Sequence, residues 1–480
     1  MPPSYQCPVT ADWTGRPGAA VVYPGRMSVA RALRPATERT GFATLVFLVL
    51  FFGDALRNSV NWWGWGAACL VMVAWSVVVV VRHPLKPGRL PILLGLLLAW
   101  MIVSLIWSDY RGGTLLGVAT QLMTTVAPVA LVSTLSWPAI VTALGRALRA
   151  IVALSLLFEL VVSVFVRQPF CPVYVDCTPP HPEAFFWTRD DLFTGGQIQG
   201  LPGNSNLLAI FALLALIVTA VQAHARVLPK RQAWFGIGVS IVALALTRSS
   251  TVLVCLVLCA VVFGFAVLAR RIPLGRRWTV GVGALLLAGL TALVVVVARG
   301  EILRLLGKSS DLTGRVTIWR SVYRLAVERP VVGWGWTGWW QPYLSPFADL
   351  AHRKGVVYLQ AHNAYLDVWF QLGFIGLALF LAVIVTTAAR SWWWATDRRM
   401  LGVGRPAPWN SLDLLPLLLL ATMLVHGLAE SRLNVEWGWA LLVTICLATR
   451  ADNLRWWTTP DSPPGDAATS APAAPATIGR

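Results

Sequence analysis

Lysine is scarce in this 480-residue sequence. It occurs only at positions 86, 230, 308 and 354, so 35 of the 39 basic residues are arginine. Charge of either sign is thin: Asp, Glu, Lys and Arg make up 12% of the chain, against about 25% in a soluble domain. That deficit excludes an ordinary soluble fold. C-x-x-C pairs are missing too, which argues against a structural zinc. Of the seven cysteines, Cys69, Cys255, Cys259 and Cys446 sit in apolar runs as packing residues. Cys171 and Cys177 share one polar loop, where an oxidising compartment permits a disulfide that spacing alone does not decide. No cleavable leader is evident; the first apolar run starts near Phe42, behind about 40 polar residues, and reads as an uncleaved anchor.

What is present is apolar. Hydrophobic residues make up 57% and the mean hydropathy is +0.66, so the fold class is an all-α polytopic membrane protein. Twelve apolar stretches have helix-spanning character, near 41–57, 62–81, 90–107, 114–135, 147–166, 203–223, 233–247, 250–269, 278–298, 363–389, 412–428 and 435–449. Residues 41–457 form the membrane domain. The tails 1–40 and 458–480, rich in Pro, Gly, Ala and Arg, bury too little apolar surface to fold.

The formal net charge of +18 would suggest nucleic acid in a soluble protein. Here it sets orientation instead, and no nucleic-acid partner is expected. With both termini inside, 24 of the 39 Lys and Arg fall on the inner side, and nine of the other 15 lie in one long segment, 299–361. Among short loops the bias is strongly positive-inside. Segments 167–202 and 299–361 are therefore external loops. The abundance of Arg, Ala and Gly hints at a GC-rich bacterial genome.

The 299–361 loop carries the richest pattern. A helix is expected from near Thr313 to before Pro330, capped by Asp311 or Thr313. Its apolar stripe is Val316, Trp319, Val322, Tyr323 and Ala326, with Arg320 and Arg324 on a neighbouring face. One reading is an amphipathic helix on the outer leaflet. The other is an arginine-lined anion site, with Arg315 in the first turn beside free helix N–H groups. The following "VVGWGWTGWWQPY" reads as interface anchoring or, alternatively, as a platform for sugar faces.

Other polar residues gather at outer span ends. Arg248 sits in a tight turn between two spans, where snorkelling alone explains an arginine. "PGNSN" opens a span, with Asn204 or Ser205 as its cap and Asn206 beside them. Glu430 has Arg432 or an arginine of another loop as candidate ion-pair partners. Asp54 and Asp109 are weaker acidic candidates. His362 opens the tenth span, where the helix dipole favours a neutral imidazole able to accept a proton. Asn363 and Asp367, four residues apart, are expected to secure that helix start.

Several segments in order resemble the O-antigen ligase and polymerase superfamily, which includes exopolysaccharide polymerisation proteins. They are "LPGNSNLLAI", "LTRSSTVLV", "SSDLTGRVTIWRSVYRLAVERPVVGWGW", "AHNAYLDVWFQLGFIGLALF" and "ESRLNVEWGWALLV", covering roughly residues 195–450. The resemblance implies a GT-C-like membrane glycosyltransferase acting at the outer face, inverting and without metal or other cofactor. Its partners would be a polyprenyl-diphosphate-linked glycan donor, a lipid or glycan acceptor, and membrane lipids. It puts His362 as catalytic base and Arg248 and Arg315 on the diphosphate, with Arg320, Asn363, Asn206 and Glu430 as supporting candidates. A polymerase of the same family is one alternative. A transporter or flippase is another, which mid-membrane ionisable residues would favour.

Overall fold

The computed structural model describes residues 37–85, 87–176, 182–297, 314–348, 350–353, 356–398, 400–402, 405–406 and 408–450. Residues 1–36 of the expected 1–40 tail, the expected tail 458–480, the expected caps Asp311 and Thr313, and Cys177 lie outside these residues, while Thr37 to Thr40 of the first tail already belong to a helix. The described chain is helical: α1 (Thr37–Phe51), α2 (Gly53–Arg82), α3 (Ile92–Val103), α4 (Arg111–Thr134), α5 (Trp137–Val161), α6 (Ser205–His224), α7 (Lys230–Thr247), α8 (Ser250–Arg271), α9 (Trp278–Val297), α10 (Arg315–Glu328), α11 (Ala364–Thr396), α12 (Leu415–His426) and α13 (Glu436–Arg450). Two short antiparallel strand pairs, His352–Arg353 with Val356–Val357 and Met400–Gly402 with Arg405–Pro406, are the only ladders among the described residues.

Twelve of these helices coincide with the twelve apolar stretches, and α10 lies in the long 299–361 segment. Six are long and apolar enough to cross a membrane: α2, α4, α5 with its π-helical extension to Val166, α6, α8 and α11. Helices α3 and α12 have 12 residues each, about 18 Å of rise, less than a hydrocarbon core. The first boundary also differs from the reading of the sequence. The chain breaks after Phe51 and kinks at Asn61 (φ +65°), so Asp54 and Arg57 ride on a short segment at the head of α2.

Helices α6 and α13 form the centre. Nearly every residue from Leu207 to Val218 and from Trp437 to Thr449 is buried. Around them α5, α7, α8, α12 and α4 pack in turn. Large apolar side chains stay exposed along the outer helices, for example Trp63, Val71, Leu253 and Val257. A soluble protein avoids such a surface; in a bilayer it is the lipid-facing shell.

Helix α11 is broken. Gly373 adopts φ +67° in its middle, and segment 330–335 enters the gap. Five backbone groups at the break find partners outside the helix. Phe374 N–H donates to Pro330 O (2.8 Å) and Ile375 N–H to Val331 O (3.3 Å). Trp334 N–H donates to Phe370 O (3.1 Å), Gly335 N–H to Gln371 O (2.8 Å), and the Trp100 indole to Leu372 O (3.0 Å). Non-helical backbone at membrane depth is tolerated only when so satisfied. Beyond the gap, the buried Gln371 amide accepts from Thr337 and Gly338 N–H, and the buried Asp367 carboxylate accepts from the Trp340 indole (3.0 Å) and from Gln371 (2.9 Å).

This insertion corrects two readings of the long loop. Trp336 and Trp340 are 0% and 1% exposed, so these two are packing residues inside the fold rather than an interface belt or an open sugar platform, whereas Tyr343 at the end of the stretch is 72% exposed. Helix α10 buries Ile318, Val322 and Ala326 against α11 and the Tyr110, Phe347 and Phe370 cluster, whereas Tyr323 of the expected stripe is 55% exposed. The helix docks on protein because α11 offers it an apolar face. Replacing Gly373 by Ala should therefore destabilise the fold by about 1–3 kcal/mol from backbone strain alone, with further loss because the new Cβ meets the Val331 carbonyl. Thermal unfolding of the purified variant checks this; an unchanged midpoint would refute the inserted-loop account.

Candidate functional site

Segment 360–364, which enters α11, is stitched to segment 427–431, which leaves α12. Ala364 N–H donates to Gly427 O (2.8 Å), and Ser431 N–H to the Gln360 side chain (3.3 Å). Asn363 caps α11 by accepting from Tyr365 and Leu366 N–H. His362 stands just before that cap with φ +50°, a strained conformation for a non-glycine residue. The Trp319 indole, from α10, donates to Ala361 O (3.1 Å) and brings the start of α10 alongside.

Three predicted residues meet there. His362 Nδ1 lies 2.9 Å from Glu430 Oε2, and Arg315 Nη2 donates to Glu430 Oε1 at 2.8 Å. Glu430 thus spends one oxygen on each partner. Burial opposes ionisation of Glu430, but the charge and hydrogen bond of His362 and the Arg315 guanidinium outweigh it. They hold the carboxyl well below the ordinary carboxylate range. An ionised Glu430 can only accept, so Nδ1 of His362 donates to it and Nε2 is the ring nitrogen left to exchange a proton. Side-chain exposures of 14%, 14% and 8% for Arg315, His362 and Glu430 keep the group shielded yet reachable. Tyr358 packs edge-on against the His362 ring.

The supporting candidates divide. Asn363 is the helix cap. Asn206 accepts from Ser249 Oγ at 2.7 Å and so ties α6 to the α7–α8 turn that carries Arg248; the cap of α6 itself is Asn204. Arg248 is exposed, in a left-handed conformation (φ +48°), and its guanidinium reaches toward Gly195 of the 167–202 loop. No hydrogen bond or ion pair joins it to the triad among the described residues. It does stand at the same end of the bundle: Cys259 of α8 contacts the Leu418 carbonyl of antiparallel α12, and each lies about two and a half turns from the end in question. Arg320 is exposed on α10 and takes no part in the triad. The expected Asn363–Asp367 side-chain pair is not made, because Asp367 turns inward to Trp340 and Gln371.

Glu430 is the residue that reading the sequence undervalued. Its partner comes from another loop, Arg315, while Arg432 is engaged elsewhere. Arg432 and Arg57 alternate with Asp54 and Glu436 in a closed ring of four ion pairs. Arg57 also stacks on Trp65, Arg432 stacks on Trp339, and the Trp339 indole donates to Glu436. Asp109 pairs with Arg329. The 167–202 loop is anchored below by the buried Glu159, which accepts from Thr188, Gln199 N–H and Gly200 N–H. Cys171 in that loop is disulfide-bonded. Among the described residues no cluster of three or more His, Cys, Asp or Glu side chains is placed to hold a metal ion.

A polytopic helical membrane protein with a carboxylate-oriented histidine beside an arginine is the class that fold and site define. Residues 235–381 match the family model described as O-antigen ligase, a stretch holding Arg248, Arg315 and His362 but ending before Glu430. The chain is also 27% identical over 200 residues to the exopolysaccharide production protein ExoQ of Rhizobium meliloti (strain 1021), covering 39% of this chain and 45% of that protein. Over these stretches the chain is similar to the O-antigen ligase and polymerase superfamily, which supports a membrane glycan-processing enzyme. The alignment spans less than half of that relative's length.

Because the Glu430 carboxyl is depressed below its ordinary value of 4.5, its pairs contribute stability that is complete above that pH and lost as pH falls further toward the folded value. Glu430→Gln should cost about 3–5 kcal/mol at neutral pH, the usual effect of breaking a buried pair. It should also flatten the acid limb of the stability curve, measured as unfolding midpoint against pH.

Proposed function

We propose that the chain transfers a glycan from a polyprenyl-diphosphate carrier to a lipid or glycan acceptor at the outer face of a bacterial plasma membrane, with both termini cytoplasmic. The observation that carries the reading is the 2.9 Å contact between His362 Nδ1 and Glu430, whose other oxygen is taken by Arg315. The acceptor hydroxyl gives its proton to His362 Nε2 as its oxygen attacks the anomeric carbon. The bond from that carbon to the diphosphate oxygen breaks, and attack from the opposite face inverts the centre. The imidazolium that forms faces the Glu430 carboxylate. Charge developing on the departing diphosphate meets the Arg315 nitrogens that Glu430 does not use, with Arg248 as the second cation. The positions of Arg248 and Arg315 at one end of the bundle support this assignment, as does the tethering of the Arg248 turn by Asn206.

The carbohydrate acceptor has a second reading. The R. meliloti relative is named an exopolysaccharide production protein, which favours a growing glycan as acceptor, hence polymerisation, over ligation to a lipid. GT-C-like architecture and twelve membrane crossings, including the shorter helices, belong to the same proposal. The test is transfer by the reconstituted full chain from a polyprenyl-diphosphate glycan to lipid and glycan acceptors in parallel. His362→Ala should slow transfer by about 10²–10⁴-fold, the range for general-base removal, with donor binding retained. Arg315→Gln should weaken donor binding. Transfer by His362→Ala at the wild-type rate would refute the base assignment.

A further inference from the structure

Three arginines are buried in the described chain, and two of them, Arg57 and Arg432, share two carboxylates. The third, Arg149 of α5, has none. It is 8% exposed, and its Nη1 donates to two neutral groups of α6, Gln222 Oε1 at 2.8 Å and Thr219 Oγ1 at 3.3 Å. Gln222 is itself fixed by donating to the Val141 carbonyl (3.0 Å). Nε and Nη2 of Arg149 make no hydrogen bond among the described residues, yet neither atom is sealed off. A buried charge without a counter-charge is costly and calls for an anion.

The described side chains around it carry the same sign. Arg146, one turn earlier on α5, is exposed and reaches Thr40 at the head of α1. The α6–α7 turn adds Arg226, Lys230 and Arg231, all exposed. No Asp or Glu occurs anywhere from Ser205 to Thr247. Gly236 of α7 leaves the space that the Arg149 stem occupies; a Cβ there would press on it. Gln222 lies in the last turn of α6, whereas Ser205 at the first turn faces the other end, where the triad stands. The nest is therefore a separate site, toward the end of α6 opposite the triad.

We infer that Arg149, with Arg146 and the basic 226–231 turn, binds the phosphate of an anionic lipid headgroup. Guanidinium offers the paired donors that a phosphate diester accepts, and basic pockets between membrane helices suit such headgroups. The full chain is purified and placed in phosphatidylcholine bilayers with or without phosphatidylglycerol, and in detergent with inorganic phosphate; lipid retained and unfolding temperature are read. Wild type should retain phosphatidylglycerol and unfold at higher temperature with it. Arg149→Met should retain about tenfold less, the loss of one charge-assisted contact. Without phosphatidylglycerol the same variant should be as stable as wild type or more so, since it removes an uncompensated charge. Arg149→Lys, which keeps the charge but not the paired donors, should fall between. Equal retention by Arg149→Met, or equal destabilisation of it in both bilayers, would make Arg149 a structural residue and overturn the inference. Stabilisation by inorganic phosphate alone would overturn the lipid assignment in favour of free phosphate.

Discussion

A helix interrupted inside a bilayer leaves amide and carbonyl groups with no water to bond, and the chain answers that constraint with its own loop. The gap at Gly373 in α11 is filled by residues 330–335, whose backbone supplies most of the missing partners. Everything at the site depends on that insertion. It lies close to where α10 packs on α11 and leaves Trp336 and Trp340 buried. Arg315 then arrives beside His362, and α11, α12 and the connection to α13 close round them.

The charges at this end are balanced in two adjoining groups. In one, Glu430 divides its oxygens between a histidine and an arginine. In the other, Asp54, Arg57, Arg432 and Glu436 close on one another. Arg432 lies two residues from Glu430, so the ring anchors the short 431–434 turn that Glu430 precedes. The ring also joins α2 to α13, which makes the first helices of the chain part of the support for a site whose own residues come from later ones. Buried ion pairs add little net stability; their geometry is what serves here, because it gives Glu430 one orientation.

Hydropathy foretold the helices well, since an apolar run must be buried in lipid or protein wherever it occurs. The helix at 315–328 was legible from its 3.6-residue stripe and from Pro330. His362, Arg315 and Arg248 were singled out through segments resembling a known family, and the fold brings the first two together at Glu430. What misled were residues whose local meaning has two solutions. A tryptophan cluster at a span end suits an interface belt or buried packing, and only the fold buries Trp336 and Trp340. Asp367 stands one turn from Asn363, yet its carboxylate goes to an indole 27 residues away in sequence.

The sequence by itself determined that this is a polytopic helical membrane protein, which side of each helix end is basic, and which residue types were available for chemistry. Composition and periodicity act over a few turns and suffice for that. Tertiary structure alone decided that Glu430, 68 residues from His362 and 115 from Arg315, bonds to both. It also decided that, among the described residues, Arg149 meets no carboxylate while Arg57 and Arg432 share two. Such pairings depend on which helix ends meet across the bundle, and no local pattern records that.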